Sequence, residues 1–541
     1  MKLVQMIREE STVSIPRLMV VACIAGVANA MILAVINAAA QKASDQGVSF
    51  WYLALFAVVL AIYVVGQRHV MTTSAEGVER VLHKIRLRLA EKVRRSDLRD
   101  FERIGRSEIY ANLQRDTTTI SQSTLNVLDG VQSAVLVFFT ALYIAWLSIP
   151  AFLLTAVFVY IALSLYFKRR RQLQSAMREA AVQENRLFGV LIGLLDGFKA
   201  VRISRPRSDD LYGHLSQISA DATALKLRTR GQIAGQFIFA QLTFFLLLAT
   251  MVFIVPRFSP GYTAMVVKTT TAILFLIGPV GSLVGSMPTL AEANGAAERI
   301  YALEERLDRS GLQPPPPQPE PPSWQGFREI RLEGVTFHYT DPDGVTTFAI
   351  GPIDFHARSG EVVFIAGGNG AGKSTLLKLI TALYQPDQGT IRVDGRLLTE
   401  DQRESYDSLF AVIFSDFHLF RRLYGIRAVS PEQVQELLDL MELDGKAHLV
   451  NGEWDTLDLS GGQRKRLALL VSFLEDRPIF VFDEWAADQD PGFRKKFYRE
   501  LLPLLRERGK TVIAVTHDDH YFDAADRLFL MAEGRLVERE P

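Results

Sequence analysis

The sequence predicts a membrane-spanning α-helical domain of six helices followed by an α/β P-loop nucleotide-binding domain. Three observations carry this prediction. Six long apolar stretches fall within the first 285 residues. Beyond residue 328 the pattern changes to short β runs alternating with helical segments. One of those runs feeds directly into Gly367-Gly368-Asn369-Gly370-Ala371-Gly372-Lys373-Ser374, ahead of a helical TLLKLI.

The apolar stretches lie near 17–39, 50–66, 124–147, 149–167, 236–255 and 262–285, each long enough to cross a hydrocarbon core of about 30 Å or nearly so. Ala38-Ala39-Ala40 gives the first a cleavage-like end. Its apolar run is too long for a signal peptide, however, and five more spans follow, so it reads as a retained helix. Segments 67–123 and 168–235 carry 12 and 13 Lys plus Arg, whereas loops 41–49 and 256–262 carry only Lys42 and Arg257. The positive-inside rule therefore puts the long segments and both chain ends on the cytoplasmic side. Lys168-Arg169-Arg170-Arg171 reads as a solvated helix end at that surface.

A chain of 541 residues is long enough for two or three domains. The Pro314–Pro322 run PPPPQPEPP reads as a polyproline spacer. It divides a transmembrane domain (1–310) from a nucleotide-binding domain (328–541) through a linker (311–327). With 60 basic and 60 acidic residues the net charge is zero, which predicts no nucleic-acid partner. The one cysteine, Cys23, excludes an intrachain disulfide or a cysteine-cluster metal site and reads as a small membrane-buried side chain.

In the P-loop, the backbone amides of Gly367, Gly368, Asn369, Gly370, Ala371 and Gly372, with the helix start at Ser374 and Thr375, are expected to cradle ATP phosphates. Lys373 would reach the β and γ phosphates and the Ser374 hydroxyl would bind Mg²⁺. Ile479-Phe480-Val481-Phe482 reads as a buried parallel strand that delivers Asp483 and Glu484 at its C-terminal end. Asp483 suits the metal; Glu484 suits a general base acting on the attacking water. The plainer reading of the pair is a strand-end cap.

Between these motifs lies Leu459-Ser460-Gly461-Gly462-Gln463. This pentapeptide resembles the signature of the ATP-binding-cassette (ABC) family. The resemblance implies an ATP-hydrolysing transporter in which each protomer's signature closes over the other's nucleotide, so the partner is a second copy of the chain in a homodimer. It implies adenine stacking by Tyr339, 28 residues before Gly367, although Tyr339 also reads as an ordinary strand aromatic beside Phe337. It further implies γ-phosphate sensing by His517 at the end of Thr511–Thr516 and an interface role for Asp490, and leaves His520 as a surface residue. Finally, it implies coupling helices near 101–106 and 187–191.

Three features depart from the common pattern. Ser415 stands where a metal-touching glutamine is usual, so a direct contact would need water or Asp416. The spacing from Ser415 to Ser460 is short, which suggests a trimmed helical subdomain. The run Trp485-Ala486-Ala487-Asp488-Gln489-Asp490-Pro491 replaces the usual small residues. FSDFHLF and DEWAADQDP resemble the cyclic-peptide export branch, which includes exporters of pyoverdine precursors, of syringomycin and of a lasso peptide. That resemblance implies export of a peptide or peptide-derived siderophore. Import of a metal-siderophore, export of a lipid or drug, and a signalling ATPase that moves nothing stay open.

Polar residues inside spans mark either a cavity or helix–helix bonds. Gln232, Gln236 and Gln241 fall roughly along one face of the fifth span. Asp129 and Gln132 on the third, and Lys268 with Thr269 to Thr271 on the sixth, complete the candidate cavity. Lys268 could instead snorkel to the outer interface. Gly278-Pro279, Gly281 and Gly285 would permit a kink in the sixth span.

Overall fold

Long helices dominate the first 310 residues because a backbone in hydrocarbon must satisfy its own hydrogen bonds. The computed structural model describes residues 1–10, 14–46, 50–258, 266–310, 324, 326–340, 345–426 and 429–540. The chain divides into one unit of Met1–Lys92 with Arg106–Arg306 and a second of Leu307–Pro541 with Val93–Gly105. The proline run lies outside the described residues.

In the first unit, α1 (Lys2–Glu10) buries Leu3 and Met6. α2 (Ile15–Gln46) and α3 (Phe50–Arg95) follow. The chain then visits the second unit as α4 (Leu98–Ile104). It returns as α5 (Arg106–Tyr110), a π turn at Ala111–Asp116, α6 (Thr117–Leu147), α7 (Ile149–Asp196) and α8 (Phe198–Ile203). α9 (Arg205–Ala249) runs through a second π turn, Thr250–Ile254, into α10 (Val255–Phe258), and α11 (Val266–Ser310) closes the unit. At 46 residues, α3 is roughly 70 Å long, twice what the bilayer core needs.

Five helices among the described residues are long and apolar enough to cross a membrane: Pro16–Ala39, Phe50–Arg95, Glu108–Leu147, Arg205–Ile254 and Val266–Asp308. The span expected at 149–167 falls on α7, whose described apolar part is Ile149–Ile161. The span expected at 262–285 begins outside the described residues. Trp51 and Trp146 are strongly exposed beside the outer ends of α3 and α6, the positions of an aromatic belt. Cys23 is also exposed on α2, within its apolar stretch.

Both expected reversals exist, one of them displaced. Asp97 caps α4 by accepting from the Arg99 N–H at 2.9 Å, and Gly105 ends it at φ +86°. Residues 187–191, expected at the second reversal, instead lie inside α7. Nothing there stops a helix; Gly189 is merely tolerated. The reversal comes at Gly197, and Pro206 opens α9.

The second unit places a four-stranded sheet beside a six-stranded one. β1 (Glu329–Thr340) pairs antiparallel with β2 (Thr346–Arg358). β3 (Val362–Gly367) enters α12 (Lys373–Ile380), followed by β4 (Gln388–Val393), β5 (Arg396–Leu397), α13 (Arg403–Asp407) and β6 (Phe410–Ile413). α14 (Pro431–Leu440), the hairpin β7 (Leu449–Val450) and β8 (Glu453–Trp454), and α15 (Gly461–Glu475) come next. α14 is the one α-helix between Ser415 and Ser460 among the described residues, so the subdomain is short. β9 (Ile479–Asp483), α16 (Pro491–Lys496), α17 (Leu502–Glu507), β10 (Thr511–Val515), β11 (Arg527–Ala532) and β12 (Arg535–Arg539) complete the chain.

The larger sheet runs β12-β11-β3-β10-β9-β6, parallel except for β12. Its central strands bury both faces. Val362, Phe364, Phe480, Phe482, Val512 and Ala514 pack into one core, and Val363, Ile365, Ile479, Val481, Ile513 and Val515 into the other. This is why β9 reads as an unbroken apolar run. The arrangement delivers Gly367, Asp483 and the residues after Val515 to one edge of the sheet.

Candidate nucleotide site

The loop after β3 is built on positive φ angles: Gly367 at +152°, Gly370 at +76° and Gly372 at +105°. A Cβ at Gly367 would sit 2.1 Å from the Met531 carbonyl oxygen, so the loop tolerates no side chain there. Lys373 is 5% exposed, and its Nζ donates to the Gly367 and Gly368 carbonyls at 3.0 and 3.1 Å. It also lies 3.5 Å from Glu484 Oε1. The Ser374 hydroxyl donates to Asp483 Oδ1 at 3.1 Å. The other carboxylate oxygen of Asp483 is buried without a hydrogen-bond partner among the described residues.

Glu484 leaves β9 with φ +51°, a left-handed conformation that costs a non-glycine residue about 1 kcal/mol. Its amide donates to the Val515 carbonyl at 3.1 Å, and its Oε1 lies 3.0 Å from His517 Nε2. One polar cluster thus joins the ends of β3, β9 and β10. Of the residues expected around a nucleotide, the fold brings Lys373, Ser374, Asp483, Glu484 and His517 together. His520 is 93% exposed.

Tyr339 sits in β1 beside α12. Its hydroxyl is 3.2 Å from Thr375 Oγ1 and donates to the Tyr384 hydroxyl at 3.3 Å. Its ring meets Phe337 edge-on at 5.1 Å. The Tyr384 hydroxyl in turn donates to Glu102 on α4, and Lys378 bonds the same carboxylate at 2.9 Å. Arg99 of α4 pairs with Asp387 at 3.0 Å, and Asp97 lies 3.6 Å from Arg403. Burial pushes Asp387 upward, but the His338 side chain, Arg99 and the His338 amide outweigh it and hold the carboxyl below its ordinary value. Tyr384 is a residue the sequence analysis missed; nothing local distinguishes it from a core tyrosine.

The signature pentapeptide forms the N-terminus of α15. Ser460 accepts from the Gln463 N–H at 3.3 Å while Gln463 accepts from the Ser460 N–H at 3.1 Å, a capping box. Ser460 and Gly461 are exposed. Behind them, the unusual residues after Glu484 fasten α15 to the strand end. The Lys465 ammonium is buried between the Glu484 carbonyl at 3.0 Å and Asp488 at 2.8 Å. The Trp485 indole donates to the Lys465 carbonyl at 3.0 Å, and its ring stacks on Phe497. Gln489 accepts from Arg466 at 2.9 Å and donates to the Gly462 carbonyl at 3.2 Å, while Arg466 also pairs with Asp490. The Phe493 amide, and Arg466 after it, hold the Asp490 carboxyl below its ordinary value despite the opposing desolvation. Ser415 and Asp416 are exposed just past β6, and neither bonds Ser374 or Asp483.

The residues expected in a membrane cavity divide. Asp129 and Gln132 line a pocket of about 180 Å³ in the first unit, together with Asn29, Tyr63, Gln67 and Ser282 among others. Gln232, Gln241 and Lys268 are not in that lining, and the Gln236 side chain lies outside the described residues. Asn29, Tyr63, Gln67, Ser133 and Ser282 are polar members the sequence analysis missed, and of these Asn29 and Gln67 interrupt or end apolar runs.

Comparison with known proteins places this architecture. The ABC transporter transmembrane region family matches residues 18–255, and the ABC transporter family matches residues 350–487. The chain is 33% identical over 538 residues to "ATP-binding protein SyrD" of Pseudomonas syringae pv. syringae, covering 95% of this chain and 92% of that one. It is 26% identical to an "ATP-dependent lipid A-core flippase" of Burkholderia thailandensis, covering 85% and 78%. The solved structure of a bacterial Atm1-family ABC exporter with ATP bound superposes with a TM-score of 0.76 at 18% identity, over 97% of this chain and 95% of that one. Full-length similarity at this level, with both domains in this order, makes the chain a member of the ABC transporter family: a multi-pass membrane exporter with an N-terminal transmembrane domain and an ATP-hydrolysing domain.

Proposed function

We propose that two copies of this chain export a peptide, or a peptide-derived siderophore or other secondary metabolite, out of the bacterial cytoplasm by alternating access. The observation that carries the reading is the pair of phrases at 414–420 and 483–491, which resemble the cyclic-peptide exporters. The second phrase supplies the unusual fastening of α15 through Trp485, Lys465 and Gln489. Identity to SyrD also exceeds, in level and coverage, that to the lipid A-core flippase. The flippase likeness favours lipid export as the second reading.

The residue roles rest on the family resemblance, and the geometry supports them. The glycine loop and the amides opening α12 hold phosphate, and Lys373 would move from its loop carbonyls to the bound anion. Tyr339 flanks the start of α12, the side from which adenine would stack. Ser374 and the unpartnered oxygen of Asp483 form an all-oxygen donor set suited to Mg²⁺. When bound, that ion supplies charge neutralisation on the β and γ phosphates. Glu484 orients and deprotonates the water, with His517 fixing the carboxylate. The exposed end of α15 at Ser460 and Gly461 offers a helix N-terminus to the partner's γ-phosphate, and Asp490 would stand at the same interface. In this reading both termini and the ATPase domain are cytoplasmic.

The test compares metabolites inside and outside cells that carry wild-type or Glu484→Gln protein. A peptide-derived product should accumulate inside the Glu484→Gln cells. Accumulation of lipid A-core species alone would favour the flippase reading.

A further inference from the structure

Asp129 belongs to a pocket built for more than helix packing. The cavity lies among α2, α3, α6 and α11 and is lined by Asn29, Tyr63, Gln67, Asp129, Gln132 and Ser282, with small apolar residues behind them. Asp129 stands 18 positions before the end of α6 at Leu147, and Gln67 stands 17 after the start of α3 at Phe50. At 1.5 Å per residue both lie roughly 26 Å from the ends marked by Trp51 and Trp146, near the opposite edge of the hydrocarbon.

The walls are fixed where glycines let neighbouring side chains press against the helix backbone. A Cβ on Gly130 would fall 2.0 Å from Ser286 Oγ, so α6 and α11 touch one residue from Asp129. On Gly26 it would fall 2.6 Å from Val135 Cγ1, and on Gly66, beside Gln67, 3.1 Å from Ala25 Cβ. Small residues thus draw the helices together while polar ones fill the space between them. The pocket is preorganised rather than a packing fault.

Its hydrogen-bonding capacity is unbalanced in a specific way. Gln67 Nε2 donates to Gln132 Oε1 at 2.6 Å, which leaves the buried Gln132 Nε2 without an acceptor among the described residues. Asp129 has neither a hydrogen-bond nor an ion-pair partner among them. Asp129 is exposed, so its unpaired carboxylate is open to a cation, and a buried, unmatched amide N–H selects a carbonyl oxygen. A volume of about 180 Å³ admits one residue, not a whole peptide.

We propose that this pocket holds one basic residue of the exported molecule, its primary ammonium on Asp129 and its adjoining carbonyl accepting from Gln132. The identity of the occupant rests on the peptide-export reading; the cation preference does not.

The test uses the full-length protein in lipid nanodiscs and two probes: a decanoyl tetrapeptide with one lysine, and its Nε-acetyl-lysine twin. Wild type should bind the amine form about tenfold more tightly, the scale of one charge-assisted hydrogen bond. Asp129→Asn should bring the two within about twofold, while Asp129→Glu, which keeps the carboxylate, should keep the preference and show that charge rather than folding was lost. Gln132→Leu should weaken both probes alike. Equal binding of the two probes by wild type overturns the proposal, as does a preference that survives Asp129→Asn, or no binding of either probe with no response to dodecylamine. If both peptides stimulate the ATPase equally, peptide export stands and the amine site falls. If dodecylamine binds in an Asp129-dependent way and neither peptide does, the amine site stands and peptide export falls.

Discussion

The phosphate cradle and the membrane pocket both gather polar groups, but they treat charge in opposite ways. In the cradle most of the charge is already engaged within the chain: Lys373 with two carbonyls and Glu484, one oxygen of Asp483 with Ser374, and Glu484 with His517, which leaves the other Asp483 oxygen free among the described residues. In the pocket the one carboxylate has no partner among the described residues, and a buried amide nitrogen is unmatched. The first pattern suits a ligand whose chemistry never varies, since a self-paired network stays ordered between turnovers and opens only to a stronger anion. The second suits a cargo that supplies the missing charge and so discriminates by its own chemistry.

The largest expected effect would sharpen this contrast. Glu484→Gln should lower ATP hydrolysis by a factor on the order of 100 to 10,000 and leave the amine preference of the pocket unchanged, as steady-state ATPase and probe binding would show. Lys373→Ala should abolish Mg-ATP binding in a nucleotide-binding assay; wild-type hydrolysis in that variant would break the account of the cradle. Trp485→Ala removes an indole that is 1% exposed and stacked on Phe497. It should lower the unfolding free energy of the second unit by about 3–5 kcal/mol, read by denaturant melts. Gly130→Ala should cost about 1–3 kcal/mol by overpacking α6 against Ser286 and blunt the amine preference without altering ATP affinity.

The smallest effect concerns pH. Because the folded pKa of Asp387 is depressed, its stabilising contribution is full above the unfolded value of about 3.9 and fades as pH falls through the lower folded value. Docking of 93–105 should therefore persist at neutral pH and loosen in strong acid. Asp387→Asn should loosen it at neutral pH and converge with wild type in strong acid, as hydrogen exchange across that segment would show.

The two sites also differ in how far the sequence revealed them. The cradle is legible because its backbone turn and its lysine are contiguous, and because an unbroken apolar strand before Asp483 can only be a buried one. Glu102 and Tyr384 meet across 282 positions, and no local pattern signals that pairing. The pocket draws its polar lining from four separated helices. Asp129 and Gln132 stand out as polar residues in a span, whereas a hydropathy window averages Asn29 and Gln67 away. The second reversal was misplaced by ten positions or fewer because residues 187–191 suit a helix as readily as a turn, and only Gly197 and Pro206 stop the chain. Trp485 and Gln489 were visible as departures, but their contacts with α15 were not, since those depend on side chains meeting across the fold.

Lys465 ties these observations together mechanically. With its ammonium shared by the Glu484 carbonyl and Asp488, and its own carbonyl held by the Trp485 indole, it ties the strand end at Glu484 to the signature helix within one chain. In a dimer those two parts would serve different nucleotides. In the proposed homodimer, a rotation at one catalytic centre would then be passed through this contact to the other.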